Sequence, residues 1–308
     1  MIQDGRVGAY FSLTSAVLFW GLSFVATKVA LESFTTFTLV FGRFSLAACA
    51  FVVVLARRGF PDFTRKEHLK VFAVAVFEPG LYFIFETIGL QHTTAPKAAL
   101  IISTIPIVVM ALSALLLDER IYPACLVGMV TSIVGITVVV TGAHDFSWTL
   151  GGQLIGDLLI FGAVISAALY MVLARDLGGR HSAVEITGMQ IIYGAILYGP
   201  AFIWELPSVK WAEVMSYRSL GALVFLTLFA TIIAFLCYNY ALTKIPATKA
   251  AVFINGIPLV TALGAWIFLG EILTLVQLAG GVLVLIGVFL ANFPTARAVP
   301  KRLANSVF

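Results

Sequence analysis

The apolar positions of this 308-residue chain come in long, nearly unbroken runs separated by short polar stretches. A bilayer core about 30 Å thick is crossed by around 20 apolar helical residues. In lipid every backbone donor and acceptor must be satisfied within the chain, so spans are helices or closed barrels. The runs lack the ten-residue alternation of barrel strands. They predict ten helices, near 8–31, 34–56, 69–91, 93–117, 121–143, 151–175, 183–207, 217–243, 246–270 and 273–293. Gln91-His92 and Lys244-Ile245-Pro246 mark the turns within the two least separated pairs. Pro96 and Pro246 suit a first helical turn, where a missing N–H costs nothing. The first run holds Trp20 and Lys28 and exceeds a signal-peptide core, so it reads as a true span. The pattern is that of an all-α integral membrane protein.

Composition agrees. Apolar residues make up 61% of the chain and charged ones 11%, with a mean hydropathy of +1.04, where a soluble domain carries roughly 25% charge. Too few polar groups exist to cover a water-soluble surface, which excludes a soluble enzyme. The 19 Lys and Arg spread over ten spans form no basic face, which excludes a nucleic-acid binder. Their placement sets orientation instead. Fourteen of them fall in the tail or in loops on the N-terminal side. Four (Lys28, Lys97, Lys210 and Arg218) fall opposite, and Arg43 lies within a span. Both termini are therefore expected in the cytoplasm, with Trp148, Trp204 and Trp211 at the outer interface. Cys49, Cys125 and Cys237 read as small core residues, with no spacing for a metal or disulfide.

The chain repeats itself. Shifted by 152 residues, 90–139 aligns without gaps on 242–291, with 15 identities in 50 positions. They include Lys97/Lys249, Ala98/Ala250, Pro106/Pro258, Glu119/Glu271, Gly128/Gly280 and Gly135/Gly287. A weaker echo sets Ser15–Phe19 over Ser166–Tyr170. Five spans per copy is an odd number, so the second copy enters the membrane upside down. Inverted repeats give two near-equivalent packings, one open to each side, which is the basis of alternating access. The expected units are 1–143, an inverted 151–293, and a cytoplasmic tail over 294–308.

Trp20-Gly21, Arg43-Phe44 and the two Lys-Ala-Ala…Pro runs, with Leu269-Gly270-Glu271-Ile272-Leu273, resemble the signatures of a family. The chain resembles the drug/metabolite transporter superfamily with two EamA-type repeats over roughly 8–293. The first copy departs at Leu117-Asp118-Glu119, where the family usually has Leu-Gly-Glu. The resemblance implies a ten-helix secondary transporter, often an exporter, in a bacterial inner membrane. Within the superfamily the chain looks most like the exporters of aromatic and other amino acids.

Charges inside a span cost several kcal/mol unless paired or hydrated, so they are functional candidates. Glu78, Tyr82 and Glu86 stand at i, i+4 and i+8 and share one helical face. The plainer reading is that Glu86 forms a salt bridge and Glu78 bonds a neighbouring helix. Pro79 is expected to bend that helix and free a carbonyl. Lys97 lies at a depth similar to Glu86 and is expected to pair with it or close an outer gate. Lys249, whose repeat counterpart of Glu86 is Tyr238, has no matching carboxylate and would attract a substrate carboxylate at the inner mouth. For both lysines snorkelling is the alternative. Pro106 and Pro258 fall near mid-membrane beside Ser103-Thr104 and Asn255-Gly256, as hinges of a substrate site or as packing kinks. Trp20, Tyr82 and Tyr238 line the pathway or form ordinary core. Arg43 and Asp157 read as structural, Arg43 through a carbonyl or carboxylate. The repeated glycines read as close helix packing within the chain, or an oligomer contact.

A membrane-embedded enzyme finds no support. The chain has no phosphate-binding loop, no His-Glu-x-x-His and no Ser-His pairing within spans, and His68, His92, His144 and His181 sit near span ends. A passive channel remains a rival that saturation of flux would separate. The expected function is export of small metabolites, amino acids first, by a monomer or weak homo-oligomer that needs no cofactor. Glu78 and Glu86 are candidates for coupling proton movement.

Overall fold

A computed structural model describes residues 2–117, 123–142, 152–177, 181–245, 250–251 and 253–292. Among these residues the fold is helical throughout, without a strand. Seven helical segments are long and apolar enough to cross a membrane, and three shorter apolar ones include Val130–Val139, Ile254–Leu269 and Leu275–Gly287. These segments fall within the apolar runs read from the sequence, seven of them of spanning length among the described residues. Apolar side chains face outward all round. Phe11, Ile196, Ile203, Leu259, Ile267 and Phe268 each expose 64–75% of their surface, as lipid rather than water requires. Cys49, read as core, is on this outward surface instead.

The elements in chain order are α1 (Ile2–Leu31), α2 (Thr36–Arg58), α3 (Arg65–Ala75), α4 (Tyr82–His92) and α5 (Ala95–Ile102). Then come α6 (Ile105–Leu117), α7 (Pro123–Thr141), α8 (Gln153–Leu177), α9 (Ala183–Glu205) and α10 (Trp211–Val214). The last four are α11 (Tyr217–Phe225), α12 (Ala234–Lys244), α13 (Ile257–Leu269) and α14 (Leu275–Asn292). Wide π-type turns, Val76–Leu81 and Leu226–Ile233, join α3 to α4 and α11 to α12. From α4 onward the boundaries recur at the same 152-residue offset: α4 on α12, α6 on α13 and the start of α7 on that of α14. Caps recur too. Thr64 accepts the N–H of Glu67, and Ser216 accepts that of Ser219.

Two spans are interrupted rather than bent. Pro106 and Pro258 each stand at the second residue of a new helix, α6 and α13, following breaks at Ser103-Thr104 and Ile254–Gly256. A proline in the first turn breaks no hydrogen bond, so the interruption is stable. At the first break the Ser103 and Thr104 hydroxyls donate to the carbonyls of Leu100 and Ile101.

α7 and α14 pack together closely. A Cβ on Gly135 would lie 2.6 Å from the Val284 nitrogen, and one on Gly287 would lie 2.5 Å from the Ser132 nitrogen. These two contacts exchange into one another under the 152-residue shift, and both require glycine. The repeated glycines therefore serve intrachain packing.

Candidate functional site

A cleft opens between Trp20, Glu78, Tyr82 and Glu86 on one part of its wall and the flanks of the two helix breaks on the other. Ile102 and Ile105 flank the first break and Ile254 and Ile257 the second, pairs that correspond under the repeat shift. Its cavity volume is about 20 Å³. That holds a water; a metabolite requires further opening.

The wide turn at Val76–Leu81 places the acids. Glu78 adopts extended backbone (φ −145°, ψ 112°) and the Glu78–Pro79 peptide is cis. Three carbonyls of this turn accept from side chains of α9. Gln190 Nε2 donates to Glu78 O at 2.6 Å, and the Tyr198 hydroxyl donates to Pro79 O at 2.8 Å and to Gly80 O. At the matching turn, Trp20 Nε1 donates to Ala230 O at 3.1 Å, and Arg43 Nε donates to Thr231 Oγ1 at 2.7 Å. Ala230 and Thr231 correspond to Glu78 and Pro79 under the shift.

Trp20 therefore both lines the cleft and anchors the second hinge. The next residue, Gly21, accepts from Thr261 Oγ1 at 2.8 Å, and a Cβ there would lie 2.6 Å from Val260 Cβ. The Trp20-Gly21 pair is where α1 docks on the second copy. Arg43 is buried over the Phe83 ring, 4.4 Å from its centroid, and bonds a hydroxyl rather than the expected carbonyl or carboxylate.

Glu86 is 1% exposed and accepts from Thr87 Oγ1 at 3.2 Å; Glu78 is 5% exposed and its Oε2 has no hydrogen-bond partner. Among the described residues no cation lies within ion-pair distance of either. The expected Glu86–Lys97 pair does not form. Lys97 Nζ lies 2.7 Å from Asp157 Oδ2, while Thr93 Oγ1 donates to Asp157 Oδ1 at 2.8 Å. A short turn equalises the depth of two residues but not their direction around the helix. Glu86 faces the cleft and Lys97 faces α8. Asp157, read as a simple helix-terminus charge, holds Lys97 in place.

Tyr238 stands behind the cleft wall, its ring 5.0 Å from that of Trp20 and its hydroxyl 3.3 Å from Met171 Sδ. Asn255 lies in the turn between Ile254 and Ile257, its buried Oδ1 without a hydrogen bond. Lys249 lies outside the described residues, as do Asp118 and Glu119.

Two groups, Asn239 and Gln190, escaped the sequence reading. Asn239 accepts from the Tyr170 hydroxyl at 2.7 Å and donates to Thr187 and Gln190, joining α8, α9 and α12 to the Glu78 turn through Gln190. Their signal was available, since both are amides inside apolar runs. Glu271 accepts from Lys28 Nζ at 2.7 Å and from the Ala95 N–H at 2.9 Å, capping α5. Gly270 (φ 67°) ends α13 in the left-handed conformation just before Glu271, which gives the Leu-Gly-Glu run a physical reason.

Comparisons with known proteins bear on the family and the fold. The model of the EamA-like transporter family matches residues 7–141 and again 154–293. An uncharacterized transporter of Archaeoglobus fulgidus is 30% identical over 280 residues, covering 90% of this chain and 96% of that protein. The uncharacterized transporter YetK of Bacillus subtilis is 28% identical over 92% of this chain and 86% of its own length. A solved crystal structure with 18% identity superposes at a TM-score of 0.69, covering 94% of this chain and 96% of the other, and shares the fold.

Proposed function

This chain belongs to the EamA-like transporter family, and from that premise we propose a secondary carrier that exports small metabolites, amino acids including aromatic ones first, by alternating access. As a family member it is a multi-pass membrane transporter rather than an enzyme. The finer reading rests on one observation: the cleft is bounded by matched positions flanking two interrupted helices, Ile102/Ile254 and Ile105/Ile257. Interrupted helices meeting between repeats are where carriers commonly hold substrate. Two inverted five-helix copies, 1–143 and 151–293, would exchange roles as the cleft opens to either side.

Glu78 and Glu86 would receive the substrate ammonium group, with Trp20 and Tyr82 against its side chain. Lys249 at the inner mouth would draw in the carboxylate. Pro106 and Pro258 hold the half-helices whose reorientation opens the cleft, and Pro79 fixes the turn that presents Glu78. The loop charges support a reading with both termini in the cytoplasm, and the family resemblance supports a bacterial inner membrane as its place. The test is labelled amino-acid counterflow in proteoliposomes. Saturable flux, accelerated by unlabelled substrate on the far side, supports a carrier. Flux rising linearly with concentration supports a channel.

A further inference from the structure

The frame of the cleft is symmetric but its charge is not. Both carboxylates come from the first copy, while the corresponding positions in the second are Ala230 and Tyr238. Glu78 and Glu86 line the cleft almost fully buried, and Glu78 Oε2 has no partner. Among the described residues the cation near them is Arg43, whose Nε bonds Thr231 and whose guanidinium lies over the ring of Phe83, which itself lines the cleft, while its buried Nη2 has no hydrogen-bond partner. Arg43 does not line it. Lys97 and Lys28 are held by Asp157 and Glu271. Among the described residues the lining thus presents acidic oxygens and aromatic faces, and no cationic side chain.

We propose that this cleft is a cation site whose substrates are organic ammonium ions, recognised through the ammonium group alone and needing no carboxylate. Burying a carboxylate is tolerated when a counter-charge completes it, and an ammonium between Glu78 and Glu86 completes two at once. Trp20, Tyr82 and Phe83 add ring faces, to which a desolvated cation is attracted. An amino acid enters by its ammonium end, and its carboxylate finds no cationic group among the described residues of the lining. An amine without the carboxylate avoids burying that charge unpaired. This inference rests on the transporter reading for its biological meaning, but binding itself is independent of transport.

The probes are 2-phenylethylamine, phenylalanine and phenylacetate, which share a ring and differ in charge, titrated calorimetrically into the purified full chain. The expected order is phenylethylamine at least as tight as phenylalanine, with phenylacetate at least tenfold weaker than either. Glu86→Gln is expected to weaken phenylethylamine at least tenfold, and Glu86→Asp to restore part of it. Phenylacetate binding as tightly as the amine, or no binding by any of the three, overturns the inference. The ranking uses the unaltered protein, so it stands even where a variant fails to fold. Binding of the amine with no saturable flux in proteoliposomes would overturn the carrier reading and leave the cation site intact. Saturable flux of an anion or neutral solute without amine binding would do the reverse.

Discussion

Lys97 Nζ and Asp157 Oδ2 lie 2.7 Å apart, with side chains only 1% and 3% exposed. The pair ties α5 to α8. Removing one partner leaves the other charged and buried, which costs about 3–5 kcal/mol, whereas replacing both by apolar groups is often neutral. Asp157→Asn is expected to lower the melting temperature in detergent sharply, and the double variant Lys97→Met with Asp157→Leu to recover most of it. Equal loss in the single and double variants would show that the pair is not the cause.

The two wide turns are anchored by different donors, which predicts unequal costs. Trp20→Phe takes the side-chain donor from one carbonyl, Ala230 O, at roughly 1–3 kcal/mol. Gln190→Leu strips the partner from Glu78 O and one from Asn239 Nδ2, and each buried orphan costs roughly 1–3 kcal/mol. Thermal unfolding should rank Gln190→Leu well below Trp20→Phe. The opposite ranking would contradict the hydrogen-bond assignment.

Gly194 lies against the first hinge. A Cβ there would stand 2.2 Å from Pro79 Cγ, while one on Gly199 would meet only Phe41, at 4.0 Å. Gly194→Ala is expected to cost folded yield and thermal stability, and Gly199→Ala to cost little. Size-exclusion profiles and melting curves separate them. A well-behaved Gly194→Ala protein would mean that α9 can retreat from Pro79.

Orientation is tested by labelling. In a variant with Cys49, Cys125 and Cys237 changed to Ser, Lys210→Cys should react with an impermeant maleimide in intact cells. Asp62→Cys should react only after the membrane is opened. Reversed labelling would overturn the cytoplasmic placement of the termini.

The spans were legible because lipid imposes one rule, long apolar helices, that hydropathy reports directly. The repeat was legible where copies share residue types, as at Pro106/Pro258 and Glu119/Glu271. It was not legible at 64–89, although elements there recur at the same offset, because Glu78 and Pro79 correspond to Ala230 and Thr231. Backbone geometry repeats there while chemistry has diverged. Trp20, Glu78, Tyr82 and Glu86 could be gathered from one stripe and one mid-span tryptophan. The partner of Lys97 could not, since turn length fixes depth but leaves rotation to the packing of α5 on α8. Gln190 and Asn239 bond turns distant in sequence, and no local pattern names such partners.

The most direct test of the central claim, that substrate passes through the cleft between the two helix breaks, uses bulk rather than charge. Initial rates of labelled phenylalanine and 2-phenylethylamine flux are measured against concentration in proteoliposomes carrying the wild type or Ile257→Trp. A carrier working through this cleft gives saturable flux in the wild type and loses it in Ile257→Trp protein that still melts cooperatively. Flux that fails to saturate, or that survives Ile257→Trp unchanged, would contradict it.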